Sequence, residues 1–190
     1  MKKNIFIIEH LENRLWKWCL SEYKNISKIV GKSNLRFSNV KRGNKMLEKY
    51  GKVFKESVKE MNLKNTCILD PDSNMILKSK EARKFNFFIF GRILGNYPPR
   101  KRTKKVLSRF IPHVKIRNIG KKQMATDNAV YVVNKIINGK EINELKFKDK
   151  IEIEINEIES VILPYRYVLL YGKPLISKEI IYYLKRKKGF

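Results

Sequence analysis

The 190-residue sequence predicts an α/β fold: a mostly parallel sheet with helices on both faces and a short C-terminal β/α extension. Two observations carry that prediction. As far as Gly139, apolar runs of strand length alternate with longer segments at helical spacing, the pattern of parallel strands joined by crossover helices. Beyond Gly139 the pattern changes to a period of two, the mark of strands with one face in solvent. Residues 1–139 are therefore expected to form the core and residues 140–190 a strand-rich extension packed on the same domain.

Ile5 to Ile8 is an apolar run suited to a central parallel strand, ending at Glu9 and His10. A helix is expected from Leu11 to Val30, where Leu15, Trp18, Cys19, Tyr23, Ile26, Ile29 and Val30 keep helical spacing and Gly31 can end it. Asn34 to Val40 suits a second strand. Lys45 to Met61 again shows helical spacing through Met46, Leu47, Tyr50, Val53, Phe54, Val58 and Met61, weakened by Gly51. Thr66 to Leu69 makes a third strand closed by Asp70 and Pro71. A polar connection then leads to a fourth strand at Phe87 to Phe90.

A loop with Gly91 and Gly95 follows, leaving through Pro98 and Pro99 into a basic run. Thr103 to Phe110 predicts a short helix, and Val114 to Arg117 a fifth strand before the glycine turn Asn118-Ile119-Gly120. Asp127 to Ile137 is a good helix, with Thr126 placed to cap it and Ala129, Val130, Val133, Ile136 and Ile137 on its apolar face. In the tail, Ile151, Ile153 and Ile155 alternate with charged neighbours between Lys150 and Asn156. Val161 to Tyr171 is a strand region broken at Pro164, and Ile180 to Lys187 a terminal basic helix.

Composition narrows the function. Hydrophobic residues make up 43% of the chain, including ten Phe and nine Tyr, enough for a real core. Forty-three Lys and Arg against 18 Asp and Glu give a net charge of +25, a field that favours polyanions and points to RNA or a ribonucleoprotein. Cys19 and Cys67 stand far apart with no C-x-x-C pairing, a pattern expected in a reducing, cytoplasmic setting without structural zinc. The opening apolar run is too short for a signal peptide and no later run is long enough for a membrane span, so no membrane partner is expected.

Several motifs fail on inspection. Gly91-x-x-x-Gly95 is neither a dinucleotide fingerprint nor a phosphate-binding P-loop. Asp70, Asp72, Asn74 and Glu81 fit part of a calcium loop, but Met75 stands where its glycine is required. With His10 and His113 as the whole histidine complement, no metal site is expected. What remains is a row of loops at the carboxyl ends of the strands, where open α/β sheets bind ligands: Glu9-His10, Asp70-Pro71, Gly91 to Asn96 and Asn118 to Thr126.

The string Phe-Gly-Arg-Ile-Leu-Gly-Asn-Tyr-Pro-Pro-Arg-Lys-Arg-Thr at 90–103, Arg-Asn-Ile-Gly-Lys-Lys-Gln-Met-Ala-Thr-Asp-Asn-Ala at 117–129 and Leu-Pro-Tyr-Arg-Tyr-Val-Leu at 163–169 resembles the SPOUT-type S-adenosylmethionine-dependent methyltransferases. Within them it is similar to an archaeal and eukaryotic group predicted to act on RNA, which includes a yeast protein-arginine methyltransferase acting on a small-subunit ribosomal protein. Ile-Ile-Glu-His-Leu-Glu at 7–12 and Leu-Asp-Pro at 69–71 extend the likeness over essentially the whole chain. The resemblance implies a trefoil-knotted fold with S-adenosylmethionine as cofactor, its adenine held by backbone groups of the knot loops.

Carried onto this sequence, the implied cofactor-binding residues are Gly91, Ile93, Leu94, Gly95 and Asn96 in one loop. Asn118, Ile119, Gly120, Gln123, Met124 and Thr126 form the other. Relatives carry Gly-Gly-Ile-Leu-Gly-Asp where this chain has Arg92 and Asn96, so Arg92 points either to solvent or toward an anionic substrate. With Arg100, Lys101 and Arg102 it forms the expected substrate-binding edge, suited to phosphates. Asp127 and Glu9 are the candidate catalytic residues, to take up a proton as the methyl is transferred. The expected acceptor is RNA, ribosomal or transfer RNA, with a ribosomal subunit as partner. The alternatives are an arginine on a ribosomal protein and a non-catalytic RNA-binding or ribosome-assembly module. The resembled enzymes are commonly homodimers, although a tail after Gly139 would cover their usual dimer surface.

Overall fold

A computed structural model describes residues 4–12, 15–92, 111 and 114–186, with the side chains of Asn44 and Arg92 outside that description. Six strands, β1 (Ile5–His10), β2 (Leu35–Ser38), β3 (Lys52–Val53), β4 (Thr66–Leu69), β5 (Phe87–Arg92) and β6 (Lys115–Arg117), form one sheet in the order β3-β2-β1-β5-β4-β6. Every neighbouring pair is parallel. Among the described residues as far as Gly139, four helices accompany them: α1 (Lys17–Val30), α2 (Asn44–Leu47), α3 (Ser79–Ala82) and α4 (Thr126–Ile137).

Because side chains alternate along a strand, each strand feeds two cores. Phe6, Ile8, Cys67, Leu69, Phe88 and Phe90 face one side, where Cys19, Tyr23 and Ile26 of α1 and Val130, Val133 and Ile136 of α4 pack against them. Ile5, Ile7, Ile68 and Ile89 face the other side, covered among the described residues by Val58, Met61, Leu63, Ile111 and Val114. The expected helix at 103–110 lies outside the described residues, as does the segment 93–110 on which a knotted path would depend.

The structure corrects the expected helix at Lys45 to Met61. Helix ends after one turn at Leu47, and the chain becomes edge strand β3, pairing Lys52 with Arg36 and Val53 with Phe37. Gly51 permits this, since a Cβ there would stand 2.7 Å from the Leu35 carbonyl oxygen and 3.0 Å from Phe37 Cε2. The apolar residues taken for one helical face divide between the two cores, Leu47 on the α1 side and Val58 with Met61 on the other. Helix α1 starts at Lys17 instead of Leu11, because β1 runs on through His10, opposite Arg92. Thr126 is the first residue of α4 and not its cap.

The tail builds a second layer. Strands β7 (Phe147–Lys148), β10 (Tyr167–Leu170) and β11 (Lys173–Pro174) make a small antiparallel sheet, while β8 (Ile151–Glu154) and β9 (Ser160–Leu163) pair as a hairpin broken from β10 at Pro164. Helix α5 (Lys178–Arg186) packs Ile180 and Leu184 with Ile151, Ile153, Leu163 and Tyr167 in a third core. Ser21 of α1 hydrogen-bonds Ser177 across 2.9 Å, and Lys24 pairs with Glu179, so the tail is held against α1.

Candidate functional site

Parallel pairing sets the carboxyl ends of the strands along one edge. Glu9 stands opposite both Ser38 and Gly91, and His10 opposite Arg92. Asn118 follows directly on β6, bridged to Ile76. The row of loops expected at that edge is therefore present for Glu9, His10, Asp70, Gly91, the Arg92 backbone and Asn118. Ile93, Leu94, Gly95, Asn96, Arg100, Lys101, Arg102 and His113 lie outside the described residues, as does the Arg92 side chain.

The turn after β6 is tightly built. Asn118 accepts the Gly120 N–H on its Oδ1 at 3.0 Å and donates its amide to the Ser73 carbonyl at 2.8 Å. Gly120 has φ of 104°, a left-handed conformation that glycine adopts without strain. Ile119 is buried in the α1-side core and Met124 packs against it. Arg166, just before β10, donates its backbone N–H to the Gln123 carbonyl at 2.8 Å, so this loop runs alongside the tail. A main-chain turn bordered by Ile119 and Met124 suits a flat, largely apolar group such as adenine.

The two candidate catalytic carboxylates lie on opposite faces of the sheet. Glu9, fully buried, points to the side of Val58 and receives Ser57 Oγ on Oε1 at 2.5 Å, with Ser38 Oγ at 2.5 Å and the Val58 N–H at 3.1 Å on Oε2. It ties β1, β2 and the turn after β3 together. His10, one residue on, turns to the other face and meets the Tyr23 hydroxyl at 2.8 Å. Asp127 is on that face, in the first turn of α4. They do not form one site.

Asp127 sits in a buried polar junction between α4, α1 and β10. It is 2% exposed and accepts Asn25 Nδ2 at 2.8 Å on Oδ2, with the Asn128 N–H at 2.8 Å and Asn128 Nδ2 at 3.0 Å on Oδ1. Glu22 of α1, 3% exposed, receives the Trp18 indole N–H at 2.6 Å. Burial first, and the Glu22 carboxylate second, push the Asp127 carboxyl up to about 7 against the pull of Asn25 and Asn128. Tyr167 of β10 is 1% exposed, and its hydroxyl has no hydrogen-bond partner among the described residues. Burial and the neighbouring Asp127 and Glu22 raise its ionisation well above the usual phenol value.

A signal for Glu22 was present, because it lies three residues after Cys19 and four before Ile26, on the buried stripe of α1. A carboxylate on an apolar helix face is the informative exception. Tyr165 and Tyr167 belong to the string at 163–169 that carried the resemblance.

Comparison with known proteins agrees with this architecture. A family model described as "Protein arginine N-methyltransferase SFM1-like" matches residues 5–189. The chain is similar to "Protein arginine N-methyltransferase SFM1" of Saccharomyces cerevisiae, 33% identical over 200 residues that cover 95% of this chain and 94% of that protein. The crystal structure of the yeast arginine methyltransferase SFM1 complexed with SAM superposes with a TM-score of 0.88 at 32% identity, over 96% of this chain and 90% of that one. The complex with SAH gives the same TM-score, 0.88, at 32% identity over 95% and 94%. Trm10 from Thermococcus kodakaraensis, 17% identical with a TM-score of 0.57 over 74% of this chain and 96% of that one, shares the fold.

Proposed function

The chain belongs to the SFM1-like protein arginine N-methyltransferase family, and on that footing we propose that its methyl acceptor is an arginine side chain of a protein. It is a SPOUT-type, S-adenosylmethionine-dependent methyltransferase. The observation that supports arginine over RNA is the buried Asp127 beside the loop 118–126, since a carboxylate attracts a guanidinium and repels a phosphate.

S-adenosylmethionine, when bound, supplies an electrophilic methyl group on a positively charged sulfur. The turn from Asn118 to Thr126 is the described part of the surface that would hold it, through backbone groups and the flanking Ile119 and Met124. The chain's own task is to align the acceptor nitrogen and take up the proton it loses. Asp127 is the group placed for that, because a carboxyl raised to about 7 accepts a proton readily near neutrality. Glu9, held by three donors on the far face, anchors the end of β1, which pairs with Gly91 of β5.

The +25 charge fits an arginine presented on a ribonucleoprotein. Phosphates around the substrate would draw the enzyme in while the acid site takes the side chain. Incubation with labelled S-adenosylmethionine and unmodified ribosomal subunits tests this. Label that survives nuclease, is released by protease and is recovered as methylarginine is expected. Label in RNA would overturn the arginine reading, and undetectable donor binding at millimolar concentration would overturn the methyltransferase reading as well.

A further inference from the structure

We propose that the acceptor guanidinium is held by Glu22, Asp127 and the Tyr167 hydroxyl together, in a site that the C-terminal strand β10 completes. The proposal rests on the arginine reading above and adds to it two residues, one from helix α1 and one from beyond Gly139.

The carboxyl groups of Asp127 and Glu22, on facing helices, are both nearly fully buried and lie close enough for Glu22 to raise the ionisation of Asp127. Asn25 and Asn128 fix the Asp127 carboxylate with one donor on Oδ2 and two on Oδ1, leaving Oδ2 room for another. The Trp18 indole fixes Glu22. An independent observation points to a ligand at the same place: the hydroxyl of Tyr167, a residue 1% exposed, lacks a hydrogen-bond partner among the described residues. Such a group costs free energy unless something supplies a donor or acceptor.

A guanidinium offers five N–H donors in a planar fork, enough for both carboxylates and the phenol oxygen. Its flat face also stacks on aromatic rings, and half-buried Trp18 and Tyr165 pack against the core that contains Tyr167. The junction adjoins the implied donor loop, because Met124 bridges to Arg166 between those two tyrosines. In the transfer, the sulfur–methyl bond breaks with its electrons going to sulfur, the nitrogen–methyl bond forms, and the displaced N–H proton passes to Asp127.

Glu22→Gln and Tyr167→Phe, both close in shape to the native residues, test the proposal alongside Trp18→Phe. Affinity for S-adenosylhomocysteine, measured by calorimetry, is expected to stay within about twofold of wild type, while kcat/KM for the protein acceptor falls about tenfold for Tyr167→Phe and about 100-fold for Glu22→Gln. In a second measurement N-acetylarginine amide is titrated into the S-adenosylhomocysteine complex near pH 6.5. Release of about one proton is expected, read from the dependence of heat on buffer ionisation, with no such release for the citrulline analogue. Unchanged acceptor kinetics in the folded variants would overturn the proposal. So would loss of donor binding and turnover together in all three, which would mark the cluster as a purely structural junction. Wild-type label in RNA would instead defeat the arginine reading itself.

Discussion

Val168 donates its backbone N–H to Asn128 Oδ1 across 2.8 Å, joining β10 to the first turn of α4 over 40 residues of sequence. The Asn128 amide also donates to the Leu175 carbonyl at 2.9 Å and to Asp127 Oδ1 at 3.0 Å. One fully buried side chain thus fixes the tail against the helix that carries Asp127.

Asn128→Ala should therefore leave the Val168 N–H and the Leu175 carbonyl buried without their partner. A loss of about 2–4 kcal/mol is expected in urea unfolding, since each orphaned buried group costs about 1–3 kcal/mol. A loss below about 0.5 kcal/mol would contradict this account.

Glu9 is expected to behave as an anchor. Glu9→Ala deprives Ser38, Ser57 and the Val58 N–H of their acceptor and should cost about 2–4 kcal/mol. Glu9→Gln retains an oxygen for Val58 and should cost less than about 1.5 kcal/mol, with kcat close to wild type. A large fall in kcat for a stably folded Glu9→Gln would restore Glu9 as a catalytic candidate.

Asp127 makes stability depend on pH in a definite direction. Its carboxyl in the folded protein, at about 7, lies above the ordinary value of 3.8, so the folded state holds the extra proton between those values. Stability from this group is complete below about pH 4 and is lost as pH rises through 7, an effect on the order of 2–4 kcal/mol. The groups around it are Glu22 and Asn25 from α1, Asn128 on its own helix, and Tyr167 from the tail. Asp127→Asn should flatten this part of the profile and raise Tm at pH 8 relative to wild type. Parallel Tm curves for the two proteins between pH 4 and 8 would refute the assignment.

Gly51→Ala tests the close approach behind strand β3. A methyl group there meets the Leu35 carbonyl at 2.7 Å, and main chain cannot swing aside as a side chain can. A loss of about 1–3 kcal/mol is expected from thermal unfolding. A neutral result would mean that the edge strand lies farther from β2 than the structure places it.

Much of the fold was legible because it is written locally. The runs at Ile5, Thr66 and Phe87 are strands, and the stripes of α1 and α4 face the core. The helix expected at Lys45 to Met61 does not extend past Leu47, because helical spacing alone cannot distinguish one buried face from residues shared between two cores. At Gly51 the deciding contact comes from Leu35, a residue on another strand. The loop at Asn118 to Thr126 was legible as a turn entering a helix, whereas Glu22 was hidden among the apolar residues of α1.

By itself the sequence determined the alternation of strands and helices, the loops on one edge, the basic field and the family resemblance, since backbone sterics and side-chain periodicity act over a few neighbouring residues. The tertiary structure alone decided which face each carboxylate occupies. Glu9 and His10 differ by one position and so point to opposite sides of the sheet. It also decided that Glu22, Asp127 and Tyr167, from three distant segments, lie at one junction. Such a meeting depends on which helices and strands pack together, and packing is settled by burial across the whole chain.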